Sequence, residues 1–283
     1  MRTVNPAIVD FSGITNENCV YVFNEGAEVP AELDGKNVVV GNTAEELNLV
    51  DGKPVAFPVA FTAANATYTR QMENDNWNTI VVPFAATVKV EGEDADIDWF
   101  RRGEANGRKF WLYKFNGSDA ASVYFDGETA TVMTPNTPYL ISVPGNKWGE
   151  EYNLSDKALV FHGQNVGITT DKPEVATNFY TFKGTYTSAN TNGGYKLNAD
   201  GDFFELQTSD VMENPFHAFF LGSESTNNSK RALTLNLGDV PTLIMDIENA
   251  QQTIENIFDL QGRRVQNAQK GIYIQNGKKV VIK

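Results

Sequence analysis

Asp94, Asp96 and Asp98 stand at alternate positions and form the densest run of ligand-type oxygens in the chain. They lie in Glu91-Gly92-Glu93-Asp94-Ala95-Asp96-Ile97-Asp98, which reads like the opening of a calcium loop. Such a loop points carboxylates from alternate positions at one hard cation. The pattern then fails: its sixth position is Trp99, where the sharp turn needs Gly, and its twelfth is Ala105, where a bidentate Glu closes the shell. A solvated acidic loop is the plainer expectation, and weak calcium binding at Asp94, Asp96 and Asp98 is the alternative. No cofactor is expected.

His162 and His217 are the only imidazoles, which leaves little material for a zinc site built on two or three histidines. In Phe216-His217-Ala218-Phe219-Phe220 the alternation puts His217 on one face with Phe219, so a packed or partly exposed strand histidine is expected. His162, between Phe161 and Gly163, is expected at a strand end before a turn. The single cysteine, Cys19, excludes an intrachain disulfide, and its place before Val20-Tyr21-Val22-Phe23 suggests a small buried apolar residue. No Gly-x-Ser-x-Gly elbow is present. Two carboxylates held a few ångströms apart could hydrolyse glycosides, but no acid sits in an apolar run that would mark a raised pKa. A recessed pocket gathering ionisable groups around either imidazole would overturn the reading of a passive protein.

The tryptophans are Trp77, Trp99, Trp111 and Trp148. Trp77 leads into Val81-Val82-Pro83, and Trp111 lies in Phe110-Trp111-Leu112-Tyr113, so both read as core. Trp99, after the acidic run, and Trp148, in Gly145-Asn146-Lys147-Trp148-Gly149, lie near turns. If exposed, Trp99 and Trp148 are the candidate sugar-stacking pair.

These residues must be positioned by strands. Eighteen Phe and ten Tyr, with many Val and Thr, favour a pleated, packed chain. Asp-Gly occurs at 34–35, 51–52, 126–127 and 200–201, and Asn-Gly at 106–107, 116–117, 192–193 and 276–277. Such pairs accept the positive φ angles of tight hairpins. Hairpins are predicted around Asp126-Gly127, Asp200-Gly201 and Asn276-Gly277, the last setting Tyr273 opposite Val280 with Ile257–Leu260 as an added strand. Early strands are predicted at Val20–Phe23, Val38–Val40 and Val55–Phe61. Helical periodicity is scarce: only short turns are expected, at Thr43–Leu49, Asp94–Arg101 and Ser209–Met212. The reading is all-β. An antiparallel β-sandwich main body (63–240) follows a small β-rich connector (1–62) and precedes a small β tail domain (241–283).

Twenty-three basic and thirty-six acidic residues give a net charge of −13. No excess positive field exists to neutralise phosphates, so a nucleic-acid partner is not expected. Anionic membrane surfaces are disfavoured for the same reason. No window holds the ~18 apolar residues of a spanning helix. Met1-Arg2-Thr3-Val4-Asn5-Pro6 lacks the apolar run of a signal peptide. An exported protein would therefore be represented here by its mature part.

Two stretches carry a family resemblance. The first is Leu260-Gln261-Gly262-Arg263-Arg264-Val265 with Gly271-Ile272-Tyr273. It resembles the C-terminal sorting or anchoring domain of exported and surface proteins of Bacteroidetes-type bacteria. The second runs from Tyr68-Thr69-Arg70 and Trp77-Asn78-Thr79-Ile80-Val81-Val82-Pro83-Phe84 through Thr137-Pro138-Tyr139-Leu140-Ile141, Phe182-Lys183-Gly184-Thr185-Tyr186 and Gly194-Tyr195-Lys196-Leu197 to Pro215-Phe216-His217-Ala218-Phe219-Phe220. It resembles a β module near the C-terminus of large surface proteins of gut members of that group, often with leucine-rich or other repeats upstream. The resemblance implies a non-catalytic, secreted or cell-surface protein serving adhesion or presenting an upstream binding region. It implies glycans or surface proteins, host or microbial, as partners, and an extracellular location. It carries no catalytic signature. A carbohydrate-binding module is the first alternative and a glycan-active hydrolase the second.

Overall fold

The computed structural model describes residues 11–101, 109–223 and 231–238, and in the tail 257–258, 264–265, 271–275 and 278–282. The chain divides into two compact units, Met1–Thr242 and Leu243–Lys283. The first unit opens with β1 (Val20–Phe23), β2 (Asn37–Val40), β3 (Thr43–Val50) and β4 (Phe61–Gln71). Next come β5 (Asn78–Ile80), β6 (Thr87–Val90), β7 (Asp96–Trp99), β8 (Lys109–Ser118), β9 (Ser122–Gly127) and β10 (Tyr139–Ser142). They are followed by β11 (Ala158–Ile168), β12 (Glu174–Ala176), β13 (Tyr180–Gly184), β14 (Ala189–Asn190), β15 (Tyr195–Leu197) and β16 (Phe203–Leu206). The unit closes with β17 (Met212–Glu213), β18 (Ala218–Gly222) and β19 (Ala232–Leu237). Among the described residues the helical pieces are three 3-10 turns, at Ala31–Leu33, Asn146–Trp148 and Glu150–Tyr152.

Seventeen strands join in one mixed sheet, and β14 pairs with β17 on its own. One run of ladders is β1-β2-β3-β4-β11-β6-β7. A second is β5-β10-β8-β9-β19-β16-β15-β18-β13-β12. The parallel pair β7–β8 links them. The all-β expectation holds, but the sheet is not purely antiparallel: β1–β2, β3–β4, β7–β8 and β9–β19 run parallel. A parallel pair needs a returning connection. Residues 51–60 supply it between β3 and β4, so the strand expected at Val55–Phe61 is instead mostly irregular return chain. β4 runs through residue 62 and pairs on both sides, with β3 and β11. The sheet therefore continues across the boundary expected at 62/63.

Two expected helical turns are strands. Thr43–Val50 is β3, because Ala44, Leu47 and Leu49 are buried while Thr43–Val50 pairs in register with Thr62–Thr69. Asp96–Trp99 is β7, and Ser209–Val211 is irregular. The hairpin expected at Asp126-Gly127 is absent: Gly127 stays in the ladder opposite Tyr113. The β8–β9 hairpin turns instead at Asp119, whose carboxylate accepts from Ala121 N at 2.7 Å. The Asp200-Gly201 hairpin does form, with Leu197 opposite Phe204 and Gly201 at φ +74°.

Two buried clusters fill the unit. One brings Tyr68, Val88 and Phe161 of the first run together with Ile80, Phe110 and Tyr139 of the second strand run or its flanks. In the other, Phe220 lies 4.5–6.3 Å, centroid to centroid, from the rings of Phe115, Phe125, Tyr180, Phe182 and Phe204. Such ring pairs add roughly 0.5–1.5 kcal/mol each beyond their buried area.

The second unit is a four-stranded sheet of β20 (Ile257–Phe258), β21 (Arg264–Val265), β22 (Gly271–Gln275) and β23 (Lys278–Ile282), in the order β21-β20-β22-β23. Tyr273 is opposite Val280, as the spacing predicts, and Ile257–Phe258 adds the third strand. Asn276-Gly277 itself lies outside the described residues.

Candidate functional site

The acidic run does not converge. Asp96 Oδ1 lies 2.7 Å from His162 Nε2. Asp98 takes both its oxygens to the Arg101 guanidinium, at 2.8 and 2.7 Å, while Asp94 is exposed. Among the described residues no group of three or more His, Cys, Asp or Glu is placed to hold a metal ion. The reason is local: pairing of β7 with β6 puts Asp96 opposite Lys89 and within reach of His162 on the neighbouring β11. Desolvation pushes the Asp96 pKa up, but hydrogen bonds from His162 and Thr87 and the charges of His162 and Lys89 together outweigh it and lower it. His162 is itself mid-strand, not at a strand end.

The tryptophan pair is also separated from solvent, to different degrees. Trp99 is 1% exposed, which corrects the expectation of an exposed ring. Its indole packs edge-to-face on Phe110 at 5.8 Å, with the Arg101 guanidinium 5.8 Å from the ring. Trp148 is half-buried in its 3-10 turn, 5.6 Å from Trp111. Cys19 is half-buried rather than buried.

The ionisable groups gather elsewhere, at His217. Two adjoining cavities, of about 170 and 210 Å³, share Asn78, Asn214 and His217 in their walls. Asp51, Arg70 and Glu73 complete one side, and Trp77, Lys196 and Asn198 the other. That gathering is the feature that speaks against a passive protein, so its construction matters.

Asp51 comes from an Asp-Gly turn with Gly52 at φ +72°. Asn18, wholly buried, holds that turn: its carboxamide donates to Val50 O at 2.9 Å and Lys53 O at 2.7 Å, and accepts from Val50 N at 2.8 Å. Tyr68 and Arg70 alternate inward on β4. Tyr68 Oη donates to Asp51 at 2.6 Å. Arg70 Nη1 donates to Thr79 O at 2.7 Å, and its Nε lies 3.8 Å from Asp51. His217 Nε2 reaches Asp51 at 3.6 Å. The residue before it, Phe216, sits at φ +67°, a left-handed conformation costly for an aromatic residue. Phe216 is held there by a stack on Tyr68 at 4.5 Å and by backbone bonds to Thr185 and Val81.

The electrostatics follow from this geometry. Burial pushes the Asp51 pKa up, but the neighbouring His217 imidazole, the Arg70 charge and the Tyr68 hydroxyl outweigh it and hold it at about 2. Burial, then the Arg70 charge, pushes His217 below its ordinary 6.5. Burial, then the Asp51 charge, drives Tyr68 well above 10. The set is a neutral imidazole, an ionised carboxylate and a guanidinium. Such a set could orient and polarise a ligand hydroxyl.

On the second cavity, Glu213 is buried and takes Lys196 Nζ at 3.2 Å and Asn214 N at 3.1 Å. Trp77 is half-buried, edge-to-face on Tyr113 at 5.2 Å. The β15–β16 turn is pressed against it: a Cβ on Gly201 would lie 2.5 Å from Trp77 O. Sequence reasoning put Trp77 in the core and missed Asp51 and Arg70. The available signal was Tyr68-x-Arg70, an arginine on the inward face of a strand, which demands a buried partner. No family model, curated protein or solved structure matches the chain.

Proposed function

We propose that this chain is a non-catalytic, secreted or cell-surface β protein. It is the C-terminal part of a modular surface protein, serving adhesion or presenting an upstream binding region. The supporting observation is that the buried charged groups around His217 are committed to partners that tie strands together. Tyr68, Arg70 and His217 converge on Asp51, Arg70 also takes Thr79 O, and Lys196 takes Glu213. A glycosidase acid needs a raised pKa. Asp51 is held low instead, and Glu73, the other carboxylate of its cavity, is exposed. The module's work on this reading is mechanical: a rigid sheet body carrying a tail for export or attachment.

The test is incubation of the full chain with a panel of plant, host and microbial polysaccharides, scored for new chain ends. No product above blank is expected. Product formed by the purified wild-type chain overturns the non-catalytic reading. Antibody to the body unit should also label intact source cells without permeabilisation, and labelling only after lysis sinks the surface location.

A further inference from the structure

The groove beside Trp77 has the chemistry of a binding site that the structural bonds around it do not use up. We propose that it binds a neutral saccharide, with the Trp77 indole against a sugar face and Asn78, Asn198, Asn214 and His217 on the hydroxyls. The inference deepens the surface-protein reading by naming a ligand class and a site.

Three features carry it. The first is shape. The two cavities together are concave and share walls. Each is far above the roughly 10–15 Å³ needed to admit a single water, so the groove has room for a small ligand. The second is lining. Carboxamides offer both donors and acceptors, which suits hydroxyls that are both. The exposed Asn214 carboxamide makes no hydrogen bond to another described residue, so it is available at the mouth. The Asn198 oxygen, by contrast, already accepts from Asp202 N and Phe203 N, leaving its amide hydrogens for a ligand. The third is the indole. Trp77 is half-buried and braced on Tyr113 at 5.2 Å, with its backbone against the Gly201 turn. Such a ring is a rigid anchor that loses little freedom on binding.

Charge decides the class. Lys196 is paired with Glu213 at 3.2 Å, and Arg70 is taken by Thr79 O and Asp51. No cation on these walls is left to select a carboxylate or sulfate. Nucleotides would need a phosphate cradle, which these walls lack. Neutral hydroxyls match what remains.

The test is titration calorimetry of the full chain with neutral gluco-, manno-, galacto- and xylo-oligosaccharides, beside uronic and sulfated ones. Saturable binding of at least one neutral sugar is expected. Trp77→Ala should weaken it about tenfold or more, as truncation of a central tryptophan does. Asn214→Ala, at an exposed position that leaves folding intact, should weaken it several-fold, and Trp148→Ala should leave it unchanged. If Trp77→Ala misfolds, Asn214→Ala decides alone. No saturable heat from any neutral sugar at about 10 mM overturns the proposal, since that excludes even millimolar affinity. Binding that survives both groove variants overturns the placement, and binding of anionic sugars alone overturns the class. Cleavage of a bound neutral sugar would leave this site standing and remove the non-catalytic reading; a blank titration without cleavage does the reverse.

Discussion

Two regions hold the first unit together by opposite means. Around Phe220 the contacts are rings on rings: Phe115, Phe125, Tyr180, Phe182 and Phe204 surround it. Around Asp51 they are charges and hydroxyls: Tyr68, Arg70 and His217. The ring cluster is apolar at its centre, so its contribution scales with area and ignores pH. The polar cluster is directional. It fixes which strand meets which turn, at a desolvation cost that its own hydrogen bonds offset. The second opens onto the two cavities at His217. The comparison teaches that in this sheet stability and chemistry are assigned to different places, and each can be struck without the other.

The largest effect should come from Phe220→Ala. The ring is fully buried at the point where five others meet. Deleting it leaves a cavity that the surrounding rings cannot fill without moving ladders, so a loss of about 3–5 kcal/mol is expected. Urea unfolding at several pH values measures it. The cost should be the same at pH 5 and pH 8. A loss that changes with pH would break the division between the two regions.

The polar cluster should supply the pH dependence. Asp51 has its pKa depressed from 3.8 to about 2. A depressed carboxylate contributes stability that is present above pH 4 and lost as pH falls through 2, here about 2 kcal/mol. His217 is also depressed, from 6.5. The unfolded chain then binds the proton first, so stability begins to fall as pH drops below about 6.5. Arg70 pushes the imidazole the same way, while Asp51 and Glu213 oppose it. His217→Gln should remove the upper limb of the acid unfolding curve and Asp51→Asn the lower one. Two unchanged limbs in those variants would show that the titration lies elsewhere.

Legibility in the sequence followed the same division. Features encoded by neighbouring residues could be read. Val20–Phe23 is a strand because β-branched and aromatic residues run together, and Asp200-Gly201 turns because Gly takes a positive φ. The Tyr273–Val280 pair follows from a two-residue connection. Where a distant partner decides, local reading failed. Thr43–Leu49 looks helical until β4 lies beside it in parallel, and Asp126-Gly127 does not turn because Gly127 still has Tyr113 to pair with. The site is of that second kind. Asp51, Arg70 and His217 come from a turn, a strand and a strained loop, and only Tyr68-x-Arg70 hinted that β4 carries a buried charge. Asp94, Asp96 and Asp98 gave the strongest local signal and the weakest site, since sheet pairing sends Asp96 to His162 and Asp98 to Arg101.

The smallest effect is the sharpest test, because Tyr68 belongs to both kinds of contact. Its ring stacks on Phe216 at 4.5 Å and its hydroxyl donates to Asp51 at 2.6 Å. Tyr68→Phe keeps the stack and deletes one donor. Asp51 still has His217 and Arg70, so the expected loss at neutral pH is about 1 kcal/mol, that of a single net hydrogen bond. The acid limb should move with it. With one stabilising hydrogen bond fewer, the Asp51 pKa rises, and unfolding begins at higher pH than in the wild type. Because the ring remains, any loss approaching that of Phe220→Ala would mean that the polar cluster is a packing core in its own right.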